Sequence, residues 1–335
     1  MTDDMTNQLA DIEMAVEVMG HSPSQQMRLS EITRVLQEVR RFCDTHQLTV
    51  GGSPTPKLDS PPRPEVFAHP EAAEILRRFH ELWGLVETPV LTSGVDLSRR
   101  SDWRELLETM RGLGTSALWL TFYGVETVHD RAVQLRGAYR AALDAIALTR
   151  QAGMRAGCNL MVTTESIPQL GEIVGDLQRP GIQEIIPCLT DFLPTARERH
   201  NERIRPTWPE VEMLLHTLDT IPETANWRRF WHELPHKHTE AWYVQQVRGH
   251  LANRTRSAGD LAGVPSTLDV FRGIPGHAGR SLGNLRRDGV EMVLSRAIAS
   301  GPCSSAAPVM MPGPRMLRNF FKALNIGALP YPLTS

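Results

Sequence analysis

Cysteine is sparse in this chain and never clustered. The four cysteines, Cys43, Cys158, Cys188 and Cys303, stand alone. No two share the short spacing of a sequence-local zinc or iron–sulfur site, which excludes both as local motifs. In a reducing compartment the plain reading is four buried or half-buried thiols. Lysine is equally scarce: of 36 basic residues only Lys57, Lys237 and Lys322 are lysine. The arginines are spread along the chain, and the net charge is −2. No field of one sign draws in nucleic acid or an anionic membrane, so neither is an expected partner. No apolar run is long enough to span a bilayer. The start, Met1-Thr2-Asp3-Asp4, is acidic where a secretory signal is basic, and a cytoplasmic protein is the expectation. Also missing are a G-x-S-x-G elbow, a Walker loop and a G-x-G-x-x-G turn opening a helix. The run Gly273 to Gly279 has the wrong spacing and contains Pro275, which argues against a phosphate cradle.

What is present is alternation. At 335 residues the chain can bury one barrel-sized core plus an appendage. Ile12, Met14, Val16 and Val18 alternate with Glu13, Ala15 and Glu17, a strand period. Ser30 is placed to cap a helix whose apolar positions Ile32, Val35, Leu36 and Val39 recur three to four apart. Leu48-Thr49-Val50 reads as a short strand closed by Gly51-Gly52-Ser53. Residues 54–64 hold five prolines and read as an extended loop. A helix over 70–83, a strand at 89–92, a helix at 101–112 and a strand at 117–122 follow. A helix over 137–152, a strand at 155–163, a helix at 167–177 and a strand at 182–186 complete six repeats. The pattern implies right-handed crossovers and a parallel sheet, as an open doubly wound sheet or a partial barrel.

After Pro187 the rhythm stops. Residues 207–254 look helical, with Trp208, Trp227, Trp231 and Trp242 as packing anchors. Residues 255–289 carry seven glycines and read as loop-rich. Val290 to Ala299 is a helix, and the tail from Pro302 is rich in Pro and Met. The division this suggests is 1–195 for the alternating part and 196–335 for the extension.

Candidate chemistry gathers at strand ends, where ligands bind in parallel sheets. Gly51-Gly52-Ser53 offers unobstructed backbone N–H groups to an anion, or is simply a tight loop entry. Thr121, Tyr123 and His129 close the fourth strand; His129 is either a ligand contact or a polar boundary residue beside Asp130, which could start a helix. Asn159 interrupts the apolar fifth strand and must bond either backbone or a ligand. His232-Glu233-Leu234-Pro235-His236 matches the H-E-x-x-H pattern, with His238 nearby. Pro235 breaks the helical turn that the pattern needs, at a cost of roughly 3 kcal/mol. No metal site is assigned there.

These pieces in this order resemble the radical S-adenosylmethionine (SAM) superfamily, in particular its SPASM-like branch that modifies peptides and small metabolites. The resemblance covers about residues 12–190. It is carried by Thr121-Phe122-Tyr123-Gly124 with His129-Asp130, by Gly137-Ala138-Tyr139, by Gly153 to Asn159 and by Val162-Thr163. Gly51-Gly52 and Pro54 match the glycine pair and proline after the second strand. Thr92-Ser93-Gly94 stands where a Thr-Asn-Gly turn is usual, and Leu282-Gly283-Asn284-Leu285 resembles a C-terminal Gly-Asn-Leu segment. The resemblance implies an α/β fold, a partial (β/α)6 TIM-type barrel with a helical and loop-rich C-terminal extension. Any ligand would then sit at the barrel mouth, among Gly51, Gly52, Ser53, Thr92, Ser93, Thr121, Tyr123, His129, Asn159 and Thr163.

The departures are specific. The three-cysteine loop implied after Val18 is Met19-Gly20-His21-Ser22-Pro23-Ser24-Gln25-Gln26. One imidazole does not replace several thiolates. The acidic residue implied after the glycine pair, which in the family meets the SAM amino group, is Ser53. Auxiliary-cluster cysteines implied near 270–303 are absent apart from Cys303. The expectation is therefore a degenerate member without a four-iron, four-sulfur cluster and without a required cofactor. It would act as a binding or accessory protein, beside an active biosynthetic enzyme or on a peptide or small-molecule ligand. The alternative is an enzyme using non-radical chemistry in the same barrel, with SAM or another small molecule as its ligand.

Overall fold

The computed structural model describes residues 11–12, 28–46, 49–50, 66–83, 90–189, 204, 206–225, 261–264, 269–272 and 280–299. In chain order the elements are β1 (Asp11–Ile12), α1 (Leu29–His46), β2 (Thr49–Val50), α2 (Ala72–Trp83), β3 (Val90–Thr92), α3 (Val95–Ser98) and α4 (Trp103–Gly112). Then come β4 (Ala117–Phe122), α5 (Glu126–Val133), α6 (Ala138–Gln151), β5 (Arg155–Val162), α7 (Leu170–Gln178) and β6 (Glu184–Leu189). The extension contributes α8 (Trp208–Leu218), β7 (Leu261–Val264), β8 (Asp269–Arg272), β9 (Arg280–Asn284) and α9 (Val290–Ala299). The chain is thus α/β, with the strand–helix alternation of a (β/α)6 order followed by an extension. No described helix is long and apolar enough to cross a membrane.

The described residues fall into two compact units, one within 1–90, 104–116 and 256–307, the other within 91–103 and 117–255. In the first unit β1 pairs with β2 in parallel, Asp11 opposite Thr49 and Ile12 opposite Val50. Helix α1 buries Ile32, Val35, Leu36, Val39 and Phe42 along one stripe, the spacing that keeps one helix face on a core. It packs on α2 and α9, which bury Ile75, Leu76 and Phe79, and Val290, Val293 and Leu294. Each such side chain contributes about 1.5–3 kcal/mol of burial as an upper estimate. The helix starts at Leu29 rather than after Ser30: the Arg28 carbonyl accepts the Ile32 N–H at 3.0 Å. Strands β7, β8 and β9 form an antiparallel sheet with an irregularity between Val270 and Phe271. Within the stretch read as loop-rich, the described residues thus include three short strands, held by backbone pairing with their neighbours despite the glycine content.

The second unit holds the sheet that positions the candidate site. Its strand order is β3-β4-β5-β6, with β4, β5 and β6 parallel. Residues Leu118, Leu120 and Phe122 of β4 and Ala156, Cys158, Leu160 and Val162 of β5 share the face toward the helices. Gly94, at φ 78°, permits close contact there: a Cβ on it would lie 2.8 Å from the Ala145 Cβ and the Leu120 Cδ2. The opposite face carries Trp119 and Thr121 of β4, Gly157, Asn159 and Met161 of β5, and Glu184, Ile186 and Cys188 of β6. Strand β6 runs through Pro187 to Leu189, beyond the end expected at 186. Among the described residues it pairs with β5 alone, and a strand at the edge of a sheet tolerates a residue with no N–H to give.

Candidate functional site

The loop after β4 is organised around His129. Its ring is buried, and its Nδ1 accepts the backbone N–H of Tyr123 at 3.3 Å. Nδ1 is therefore unprotonated, and the neutral ring carries its proton on Nε2. Burial holds the imidazole down at about 4, with Asp130 pulling the other way. Phe122, Tyr123 and Tyr139 surround it at centroid distances of 5.4, 5.9 and 5.7 Å. The Tyr139 hydroxyl donates to Asp176 at 2.8 Å, and burial raises its pKa well above the ordinary phenol value, Asp176 adding to the effect.

Asp130 does not start a helix. Helix α5 begins at Glu126, and Asp130 lies inside it. Gln134 takes a left-handed conformation that ends α5, after which the chain turns so that Asp130 faces the start of α6. Its Oδ2 accepts the Gly137 N–H and its Oδ1 the Tyr139 N–H, the latter at 2.9 Å. A carboxylate placed at a helix N-terminus satisfies orphan donors and meets the favourable end of the dipole. Gln169 likewise accepts the Val125 N–H at 3.3 Å. Sequence reading missed both duties; the only local signal was an acidic residue followed, seven positions later, by Gly137.

The other expected residues divide sharply. Thr92 Oγ1 accepts the Gly94 N–H at 2.9 Å and Ser93 Oγ accepts the Val95 N–H at 3.3 Å. Thr163 and Ser166 bond reciprocally, the Thr163 N–H to Ser166 Oγ at 2.8 Å and the Ser166 N–H to Thr163 Oγ1 at 3.1 Å. These hydroxyls build turns at the ends of β3 and β5. Thr121 and Asn159 are different. They stand opposite each other in the β4–β5 register, with Ile186 of β6 opposite Asn159 on the other side. Asn159 is 2% exposed, and among the described residues neither its carboxamide nor the Thr121 hydroxyl has a protein hydrogen bond. Tyr123 lies half-buried just past β4.

Gly51, Gly52 and Ser53 lie outside the described residues, as do His21, His232, His236, His238 and Cys303; of Cys43 only the backbone is described. Cys158 and Cys188 are buried free thiols. They occupy opposite faces of the sheet, since Cys158 is opposite Ile185 and Cys188 opposite Met161. Burial pushes the Cys158 thiol well above its ordinary value, with Cys188 and Glu184 adding to it. A thiol kept protonated is a poor ligand to iron. Among the described residues no group of three or more His, Cys, Asp or Glu is arranged to hold a metal ion.

No family model matches the chain, and no curated protein does. Among solved structures, Streptococcus suis SuiB bound to precursor peptide SuiA aligns at a TM-score of 0.35 and 12% identity, over 55% of this chain and 40% of that one. A second SuiB crystal structure aligns at 0.32 and 12%, over 53% and 38%. Native anSMEcpe with bound AdoMet and the Cp18Cys peptide aligns at 0.45 and 10%, over 87% of this chain and 80% of that one. The chain thus spans about two fifths of the SuiB chains it resembles.

Proposed function

We propose that this chain is a radical-SAM-type α/β protein that works without an iron–sulfur cluster, as a binding or accessory protein in a route that modifies a peptide or small metabolite. The observation that carries the reading is the sequence Met19-Gly20-His21-Ser22-Pro23-Ser24-Gln25-Gln26, which supplies one imidazole and no thiol where the resembling family supplies three thiolates. The described cysteines support this reading: the buried Cys158 and Cys188 sit on opposite faces of the sheet, and burial favours the protonated Cys158 thiol. No step is routed through iron. The peptide or metabolite context comes from the branch that the sequence resembles.

The turn-building roles of Thr92, Ser93, Thr163 and His129 favour a binding protein over an enzyme built on those side chains. Each is already engaged with backbone, and none is left as a poised acid, base or nucleophile. SAM remains the alternative ligand of the same protein. The test is a reductive cleavage assay after anaerobic reconstitution with iron and sulfide. With dithionite and SAM, no 5′-deoxyadenosine above the protein-free control is expected; turnover would overturn the reading. Calorimetry with SAM then separates a protein that binds SAM without radical chemistry from one that does not bind it.

A further inference from the structure

The carboxamide of Asn159 has no role in building the sheet. It lies within β5, between β4 and β6, in a strand whose other residues on that face are Arg155, Gly157 and Met161. It is 2% exposed and the one buried carboxamide among the described residues. Such a group brings two N–H donors and a carbonyl acceptor. Buried without a partner, it weakens the folding equilibrium on the order of tenfold or more. A retained group of that kind points to a partner that is not part of the fold.

Its surroundings define the partner. Thr121 and Ile186 flank it, both half-buried, and Trp119 and Met161 supply apolar wall. None of these is charged. The charged residues of this face, Arg155 and Glu184, stand toward the start of β5 and β6, opposite Ala117 and Gly157, and pair with each other at 3.2 Å. The set offers nothing to neutralise a phosphate, a carboxylate or an ammonium group, whose burial demands a counter-charge. It suits a neutral ligand carrying a donor and an acceptor side by side. One residue of an extended peptide has that layout, since its N–H and C=O point to the same side, as in a hydrogen-bonded strand pair.

We propose that Asn159 and Thr121 form a binding site for the backbone of an extended, uncharged peptide segment. The Asn159 carbonyl oxygen accepts the N–H of one peptide residue, and its amide donates to the C=O of the same residue. The Thr121 hydroxyl serves an adjacent amide. The proposal rests on the reading of the chain as a binding protein and names the ligand class of that protein.

The test is a titration of the full-length, 15N-labelled chain with N-acetyl-trialanine N-methylamide. Its control is the matching depsipeptide, in which an ester oxygen replaces the central N–H. The side-chain NH2 pair of Asn159, identified by its loss in Asn159→Leu, should shift and saturate with the peptide. The ester should bind about tenfold more weakly, the loss of one 1.4 kcal/mol contact. Thr121→Val should weaken peptide binding severalfold while leaving the fold intact. Asn159→Leu should abolish the response and, in urea, raise the folding equilibrium constant roughly tenfold, because it removes a buried polar group with no protein partner. An Asn159→Leu chain less stable than the parent would show that the amide is bonded within the protein and would overturn the site. Equal binding of peptide and ester, or no response to peptide, would overturn it too, and leave the cluster-free reading untouched. A bound cluster alongside intact peptide binding would do the reverse.

Discussion

A buried histidine that accepts a backbone N–H works only while neutral, and His129 is in that position. Its pKa is near 4 in the fold against an ordinary 6.5. As pH falls, the unfolded chain takes up a proton first and is favoured. The stability that the neutral ring contributes is thus complete above about pH 6.5 and lost progressively toward pH 4, roughly 3 kcal/mol in all. Urea midpoints measured from pH 7 to pH 4 should fall more steeply for the parent than for His129→Gln; parallel profiles would show that the ring titrates freely. Gly157 makes a second case. A Cβ there would lie 2.5 Å from the Trp119 ring. Gly157→Ala should cost about 1–3 kcal/mol, and Trp119→Phe should recover part of it, because the clash is between those two groups. At this scale the sequence was half legible. Asn159 could be marked because an amide in an apolar strand breaks a pattern. Nothing local distinguished the hydroxyls of Thr92 and Thr163, spent on turns, from that of Thr121, which is not; that depends on where each residue stands relative to its strand end.

Helix α6 owes its start to a residue outside it. Its N-cap, Gly137, makes no side-chain cap of its own, and Asp130 reaches across from α5 to the Gly137 and Tyr139 N–H groups. Asp130→Ala should cost about 1–2 kcal/mol, and Asp130→Asn less, since an amide oxygen still accepts one bond. Chemical denaturation of the two variants checks the order. Most elements of the alternating part were readable, because buried strands such as β4 and amphipathic helices such as α1 announce themselves by period. Strands β7, β8 and β9 were not. They are four or five residues long, include Gly263 and Gly283, and are fixed by pairing with each other rather than by any pattern of their own. Pro187 misled in the other direction, since a proline ends a strand only where its missing N–H would have been used.

The α/β alternation is a property of the whole molecule, and so is the scattering of its four cysteines. Six strands in order with their helices keep a framework, while the chemistry that the resembling family performs on such a framework requires thiolates in one place. The fold follows from hydrophobic periodicity spread over many positions and survives change at any few of them. A cluster depends on a few ligands in one place and would be lost with them. The proposal of a cluster-free protein therefore rests on the sequence, whereas the proposed ligand rests on the amide of β5, which has no hydrogen-bond partner among the described residues. The most direct measurement is the iron and acid-labile sulfide content of the full-length protein, purified and reconstituted without oxygen. The account predicts no iron or sulfide retained after desalting and no brown absorbance; iron and sulfide held in the ratio and amount of a bound cluster would contradict it.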